Sequence, residues 1–222
     1  MRKLLFIAPH ADDETLGCGG TMLKYQSRGD EIYWLLVTGM SEASAYSNER
    51  IEKRATEIET VAKSYKITKR FELNLPPAGL DTIALSEIVT KFSDVIETVK
   101  PTVVYVPYRN DAHSDHKIVF DAAMATTKLF RYPYIKQVIA YETISETEYG
   151  MKPEDGGFRP NLFEDISEFV EKKLNIMSHY ESEMGEFPFP RSREAIEALT
   201  KVRGAQSNVG AAEAFMLLKE VR

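Results

Sequence analysis

Short apolar runs alternate with amphipathic stretches through the first two thirds of the chain. The apolar runs predict strands over 3–8, 31–38, 70–75, 102–106 and 138–142. The stretches between them carry apolar residues at helical spacing and predict helices over 15–28, 48–65, 85–99 and 117–129. Strands that alternate with helices form parallel sheets with crossover helices, and continuous apolar runs suit strands that are buried on both faces. We therefore predict an α/β fold with a doubly wound, mostly parallel sheet flanked by helices.

The last third of the chain has a different pattern. A loop with Gly and Pro spans 150–160, and helices are predicted over 167–182 and 194–202. Residues 214–221 fit either a helix or a strand. The FPFPRS sequence between the two helices indicates a turn, and its aromatic and proline residues suit a lid or an oligomer contact as well. No repeat, low-complexity tract or linker interrupts the chain, so we predict a single domain over 1–222 with a smaller C-terminal extension.

The composition is that of a soluble globular protein. Of the 222 residues, 43% are hydrophobic and 28% are charged, which is enough for one sizeable core. The formal net charge of -6 argues against non-specific nucleic-acid binding, which needs clustered Lys and Arg. A single cysteine allows no intramolecular disulfide and fits a reducing compartment. The first apolar run is too short for a signal peptide, and no stretch approaches the roughly 20 apolar residues of a membrane span, so we expect a cytoplasmic protein.

Three of the four histidines lie in loops that follow predicted strands, where open parallel sheets place their active crevice. The loop after the first strand reads PHADDE. His10 and Asp13 are three residues apart and can point at one divalent ion, while Asp12 stays beside it. Alternatively, the acids only cap the following helix, which the helix dipole favours. That interpretation does not account for His10.

The loop after the fourth strand reads NDAHSDH and supplies the other two histidines, His113 and His116. It could be a solvated polar loop in which Ser114 or Asp115 caps the next helix. Two His/Asp clusters at the carboxyl ends of strands nevertheless favour a shared metal site. The loop after the second strand, 38–48, is expected to border the same crevice.

A catalytic zinc typically takes three protein ligands and leaves one position for water. His10, Asp13 and one histidine of the second loop satisfy that count, and the spacing does not distinguish the two candidates. The metal would lower the pKa of its water and polarise a carbonyl group. A carboxylate such as Asp12 would be the general base, and the remaining histidine, if protonated and held by Asp115, would stabilise the developing oxyanion.

Both motifs resemble those of one family. PHADDE resembles the PHPDDE signature of the LmbE-like, or PIG-L-like, N-deacetylases, and DAHSDH resembles their second signature, an H-x-D-H sequence after the fourth strand. The resemblance covers most of the chain, including RATE at 54–57, YETISETEYG at 141–150 and the C-terminal stretch with Arg203, Gly204 and AEAF. It implies a Rossmann-like fold without a nucleotide and the removal of N-acetyl groups from glucosamine-containing lipids, glycosides and thiol precursors.

The resemblance also implies a role for each site residue. The implied zinc ligands, for one ion per chain, are His10, Asp13 and His116. Asp12 resembles the general base, and His113 resembles the oxyanion-stabilising histidine with Asp115 as its orienting partner. Arg54 resembles the helix arginine that contacts substrate, although its charged helix would suit a surface residue equally well. Two His and one Asp suit Fe(II) as well as zinc.

The chain departs from the family pattern at three places. Ala11 replaces the proline of the first signature, which loosens the turn without removing a ligand. Where many members carry an acid in an L-P-D-G segment that helps to hold the sugar, this chain has LPPAGLDT, with Asp81 as the nearest acid. Asp111 stands where some members have a tyrosine. The last two departures concern the substrate more than the chemistry.

We therefore predict a zinc-dependent hydrolase that removes an N-acetyl or related acyl group from an amino sugar or a similar small amide. The C-terminal extension is expected to close over the site. Two other functions fit the residues: an amidase for a larger acyl conjugate, and a non-catalytic module that binds a metal or an anion. A binding module needs no base, so Asp12→Asn would leave its ligand affinity unchanged. The expected partner is a small N-acetylated amino sugar, and the resemblance allows a homo-oligomer because family members often form multimers.

Overall fold

The computed structural model describes residues 1–41, 46–152, 154 and 156–222. This part of the chain contains seven strands and six α-helices, which alternate from β1 to β5. The strands are β1 (Lys3–Ala8), β2 (Glu31–Thr38), β3 (Lys69–Leu75), β4 (Val103–Pro107), β5 (Gln137–Tyr141), β6 (Leu162–Asp165) and β7 (Ala212–Glu220). The helices are α1 (Asp13–Ser27), α2 (Asn48–Ser64), α3 (Leu85–Val99), α4 (Ser114–Ala125), α5 (Val170–Met177) and α6 (Arg193–Ser207).

The strands form one sheet in the order β3-β2-β1-β4-β5-β7-β6. Strands β1 to β5 pair in parallel, and β7 lies antiparallel between β5 and β6. The sheet is therefore mostly parallel, which confirms the predicted α/β fold. The chain changes direction across the sheet at β1, which has β2 on one side and β4 on the other. The loops that leave the carboxyl ends of β1 and β4 diverge there and frame a crevice.

Both faces of the sheet are buried, as the continuous apolar runs predict. In β1, Leu4 and Phe6 pack on one face, and Leu5 and Ile7 pack on the other, each at most 1% exposed. Helices α1, α2, α5 and α6 contribute to the first apolar cluster, and α3 and α4 contribute to the second. Burial of this apolar surface is the main stabilising contribution to such a sheet.

Helix α1 packs unusually closely against its neighbours through glycines in its GCGG sequence. A Cβ atom at Gly17 would lie 2.3 Å from a ring carbon of Tyr141, and a Cβ atom at Gly20 would lie 2.7 Å from the side chain of Ile166. Any larger side chain would push α1 away from β5. Because α1 begins at Asp13, these glycines determine how deeply the first His/Asp loop sits above the sheet.

The C-terminal third differs in several ways from its predicted elements. Residues 214–221, which fit a helix or a strand equally well, fall almost entirely within strand β7, which spans Ala212–Glu220. Strand β6, with the sequence LFED, is not predicted by the sequence pattern. Helix α5 is shorter than expected, and α6 extends beyond the predicted end to a cap at Asn208, whose φ is 58°. No helix in the described ranges is long and apolar enough to cross a membrane.

Candidate active site

A cavity of about 270 Å³ opens at the carboxyl ends of β1, β2 and β4. It lies where the reversal of strand order predicts the crevice. The first His/Asp loop, the described part of loop 38–48 and the segment after β5 all contribute to its wall, and residues 42–45 lie outside the described ranges. Glu183 and Arg191 of the C-terminal third complete it. The extension therefore covers the site, as predicted.

Three of the predicted site residues converge at the base of the cavity. The ligand atoms of His10, Asp13 and His116 all lie within 4.8 Å of one another. Oδ2 of Asp13 is 3.2 Å from Nδ1 of His10 and 3.3 Å from Nε2 of His116. The same oxygen accepts a hydrogen bond of 2.8 Å from the backbone N–H of His10. The sheet thus brings together two loops that are about a hundred residues apart in sequence.

The state of His116 indicates that this group fits a divalent cation. His116 is fully buried, and its Nδ1 lies 2.7 Å from Oδ2 of Asp111, which assigns the proton to Nδ1. Its Nε2 is buried and has no hydrogen-bond partner in the described part of the chain. An unpaired ring nitrogen beside a carboxylate oxygen and a second imidazole is the donor set of a zinc or Fe(II) site.

The electrostatics of the group also favour a positive charge. Burial opposes a charged imidazole, but the contacts of His10 with Asp115 and Asp13 raise its pKa to about 9. For His116 the negative charge of Asp13 and the contact with Asp111 outweigh burial, and its pKa lies well above the usual range. Surroundings that stabilise a proton on two adjacent imidazoles will also stabilise a metal ion, which replaces those protons.

Asp111 is a site residue that sequence analysis treated only as a departure from the family pattern. Its carboxylate is buried; Oδ2 contacts His116, and Oδ1 accepts a hydrogen bond of 2.6 Å from Oγ1 of Thr147. Ligating histidines commonly donate their second ring N–H to a carboxylate, which fixes the orientation of the ring. The sequence signal that could have identified Asp111 is its position in the same loop as a ligand histidine, five residues before His116.

We expect Asp111→Asn to lower the affinity for zinc by about 10- to 100-fold, because the amide no longer accepts the charge-assisted hydrogen bond from His116. Competition with a chromogenic chelator would measure the affinity. The matched control is Asp121→Asn on α4, where the carboxylate pairs with Arg109 at the surface. Equal affinities of the two variants would show that Asp111 does not support the ligand.

Asp12 lies next to this group in a constrained conformation. It is 4% exposed, and its φ of 145° is sterically costly for a residue with a side chain. The backbone N–H of Asp12 donates to Oε2 of Glu14 at 3.1 Å, and its Oδ2 accepts a hydrogen bond of 2.8 Å from Nη1 of Arg191. Burial and the charges of Asp13 and Glu183 raise the pKa of Asp12, and Arg191 opposes that effect.

The structure places Asp115 differently from its predicted role. Its Oδ2 is 3.0 Å from Nε2 of His10 and 3.9 Å from Nδ1 of His113, so the carboxylate holds His10 rather than His113. Hydrogen bonds from the backbone N–H groups of Ala78 and Leu80 keep it there. The expectation that its side chain orients His113 is corrected accordingly. His113, not Ser114 or Asp115, also caps α4.

His113 is oriented by the backbone instead. Its Nδ1 accepts a hydrogen bond of 3.1 Å from the backbone N–H of Asp115. Burial, together with the positive charge of His10, lowers its pKa. The ring is therefore neutral near pH 7 and carries its proton on Nε2. Because His113 lines the cavity, a neutral imidazole donor stands beside the metal group.

Arg54 lines the cavity, but its donors are already engaged. It is 7% exposed and donates to the carbonyl oxygen of Ala11 and to Oγ of Ser182, each at 2.9 Å. It also contacts Glu183 and lies 3.1 Å from Glu57. Arg54 therefore ties the first His/Asp loop to the C-terminal extension. Its predicted contact with substrate stays a prediction.

Arg191 is the second residue that sequence analysis missed. It belongs to the FPFPRS turn, and its guanidinium reaches Asp12 and Glu183 inside the cavity. The two partners of the Asp12–Arg191 contact are 179 residues apart, and no sequence pattern connects them.

The chain is similar to several known proteins in sequence and fold. The chain is 27% identical to the diacetylchitobiose deacetylase of Thermococcus kodakarensis over 84% of this chain and 72% of that protein. A conserved protein of Thermus thermophilus is 26% identical and superposes with a TM-score of 0.79, covering 100% of this chain and 97% of the other. The N,N'-diacetylchitobiose deacetylase of Pyrococcus horikoshii, 22% identical, shares the fold with a TM-score of 0.79 over 98% and 84% of the two chains.

One family match covers both His/Asp loops of the site. The GlcNAc-PI de-N-acetylase family, PIG-L, matches residues 5–127, which is more than half of the chain and includes both His/Asp loops. This match confirms the resemblance that the two motifs indicate. The chain belongs to the PIG-L family of de-N-acetylases.

Proposed function

We propose that this protein is a zinc-dependent hydrolase that removes the acetyl group from the nitrogen of an amino sugar. The observation that carries the proposal is the group formed by His10, Asp13 and His116, in which the buried Nε2 of His116 has no hydrogen-bond partner among the described residues. Membership of a de-N-acetylase family supports the reaction class. The name of the Thermococcus relative suggests N,N'-diacetylchitobiose and N-acetylglucosamine as the first substrates to test.

The proposed ligands are His10, Asp13 and His116. A divalent ion bound by them would polarise the acetyl carbonyl group and lower the pKa of water. Asp12, beside the ligands but not among them, would accept a proton from the attacking water as its oxygen bonds to the acetyl carbon. The same proton would pass to the leaving nitrogen when the C–N bond breaks. The products are acetate and the free amine.

His113 is suited to the developing negative charge on the carbonyl oxygen. Because Nδ1 accepts a backbone hydrogen bond, the proton on Nε2 is available to donate. A donor fixed before the reaction stabilises an oxyanion without reorganisation, and such donors typically contribute a factor of about 10² to 10³ in rate. In this proposal Asp115 acts on His10, which it holds as a ligand.

The walls of the cavity suggest how a sugar is held. Pro77 and Ala78 line it where many family members have an acid, so that side offers no carboxylate. Glu146 lines the cavity as well, and its half-buried carboxylate makes no ion pair or hydrogen bond in the described part of the chain. Burial raises its pKa. We propose that Glu146 replaces the missing acid as an acceptor for sugar hydroxyl groups.

Acetate release from N-acetylglucosamine and N,N'-diacetylchitobiose, measured with and without chelator on protein of known metal content, tests the proposal. We expect chelator-sensitive release with about one metal per chain. One bound metal without any release would favour the binding module, or an amide outside the panel. Release by metal-free protein would overturn the metal dependence.

A single domain over residues 1–222, a cytoplasmic location and a homo-oligomer stay predictions. Light scattering during size-exclusion chromatography would measure the oligomeric state.

A further inference from the structure

Asp12 sits among like charges. Asp13 and Glu14 are its sequence neighbours, and Glu183 from the C-terminal extension contacts the same guanidinium nitrogen as Asp12 does. Asp12 itself is buried, with 4% of its surface exposed. Buried carboxylates in proteins are paired with a cation or hydrogen-bonded, and such a partner also fixes the orientation of the carboxylate.

Arg191 is the cation that contacts Asp12. Its Nη1 donates to Oδ2 of Asp12 at 2.8 Å and lies 3.2 Å from Oε2 of Glu183. Arg54, the other arginine of the cavity, bonds to Ala11, Ser182 and Glu183 instead. Both arginines contact Glu183, but they differ in what they hold in the first His/Asp loop: Arg54 binds its backbone at Ala11, and Arg191 binds the carboxylate of Asp12.

Hydrogen bonds hold the backbone next to Arg191 in place. The next residue, Ser192, is 2% exposed and caps α6 by accepting a hydrogen bond of 3.1 Å from the backbone N–H of Ala195. The backbone N–H of Ser192 donates to the carbonyl oxygen of Phe189, whose ring lies 5.8 Å from the guanidinium. An arginine held in this way at the start of a helix can fix a carboxylate with little loss of side-chain entropy.

The contact uses only one oxygen of Asp12. Arg191 takes Oδ2, and none of the hydrogen bonds among the described residues ends on Oδ1. The strained backbone is held from the other side by Glu14, through the N–H of Asp12. Together these contacts leave Oδ1 as the oxygen that is able to accept a proton.

We propose that Arg191 is a positioning residue for the deacetylation reaction: it fixes Oδ2 of Asp12 and thereby presents Oδ1 to the attacking water. This inference rests on the proposed function. Arg191 does not contact the reacting atoms; it acts through Asp12. A misplacement of the base by about an ångström is enough to lower a rate by roughly 10²-fold.

The test compares Arg191→Ala, Arg191→Lys and the control Arg193→Ala in the zinc-loaded protein. Arg193 lies two residues further on and pairs with Glu171 at the surface, away from the cavity. We expect Arg191→Ala to lower kcat by about 10²-fold with KM and bound zinc nearly unchanged. Arg191→Lys should recover part of the loss, and added guanidinium should recover part of it in Arg191→Ala. Arg193→Ala should match the unsubstituted protein.

Each other outcome has a defined meaning. If the unsubstituted protein releases no acetate, the proposed function fails, and this inference fails with it. If the unsubstituted protein is active and Arg191→Ala has the same kcat, or only a higher KM, the inference alone is overturned. A crystal structure of zinc-loaded Arg191→Ala provides a readout besides activity. A carboxylate of Asp12 that keeps its orientation there would also overturn the inference.

Discussion

Asp12→Asn is expected to lower the rate of acetate release by about 10²- to 10⁴-fold while zinc stays bound. Asparagine keeps the shape of the side chain and still accepts a hydrogen bond from Arg191, but it cannot take a proton from water. Asp12 is absent from the group of atoms that converge within 4.8 Å, so its replacement removes no proposed ligand. Turnover and metal content, measured on the same preparation after gel filtration, would separate the two effects.

The control for this prediction is Asp13→Asn. Oδ2 of Asp13 lies within 3.3 Å of both histidines, so this variant should lose zinc and turnover together. The prediction would be contradicted if Asp12→Asn lost zinc and regained activity when metal was added, because Asp12 would then be a ligand. It would also fail if Asp12→Asn turned over normally.

Asp12→Ala provides a second comparison. It should lose turnover as Asp12→Asn does. It should also be less stable, because it leaves Nη1 of Arg191 with the longer contact to Glu183 alone. A difference in the free energy of unfolding between the Ala and Asn variants would therefore measure the structural part of the contact, and their shared loss of turnover would measure the proton transfer.

The position of the site could be predicted from sequence because it depends on strand ends. Strands β1 and β2 begin and end where the apolar runs begin and end, since both strands are buried along nearly their whole length. Once the strands are parallel, the loops after them must meet at one edge of the sheet. His10, Asp13 and one histidine of the second loop were therefore predictable as neighbours from the sequence, and only the family resemblance distinguished His116 from His113.

The partners of these residues were less predictable. Asp115 is two residues from His113, and proximity in sequence suggested that it orients His113. Its carboxylate instead turns to His10, because the backbone N–H groups of Ala78 and Leu80 converge on the same side. The orientation of this carboxylate depends on the segment at 78–80, which is distant in sequence from Asp115. The Asp12–Arg191 contact depends in the same way on the return of the C-terminal extension.

Strand β7 shows a different limit of secondary-structure prediction from sequence. Its sequence, AEAFMLLKE, places apolar residues at spacings that suit an amphipathic helix and a strand alike. The segment becomes a strand because it pairs with β5 on one side and with β6 on the other, and β6 is only four residues long. Tertiary context therefore outweighs local propensity in this segment.

Lys173→Met is expected to lower the free energy of unfolding by about 3–5 kcal/mol, because it leaves the carboxylate of Glu213 buried without its cation. Nζ of Lys173 lies 2.7 Å from Oε1 of Glu213, and both side chains are 3% exposed. The two oxygens of Glu213 also accept hydrogen bonds of 2.8 Å from the backbone N–H groups of Gly20 and Thr21. Denaturant unfolding at matched metal content would measure the loss.

The control is Lys53→Met, which removes a surface ion pair with Glu181 whose side chains are 52% and 70% exposed, and which should not measurably change stability. The double variant Lys173→Met/Glu213→Gln should be more stable than Lys173→Met alone, because no buried charge is left unpaired. Equal stability of the single and double variants would contradict the role of charge.

The ion pair also contacts the backbone of helix α1. In a regular helix the N–H of Gly20 donates to the carbonyl oxygen of Leu16, and the ion pair contacts both of these groups. The pair therefore holds α1, and with it Asp13, against α5 and β7.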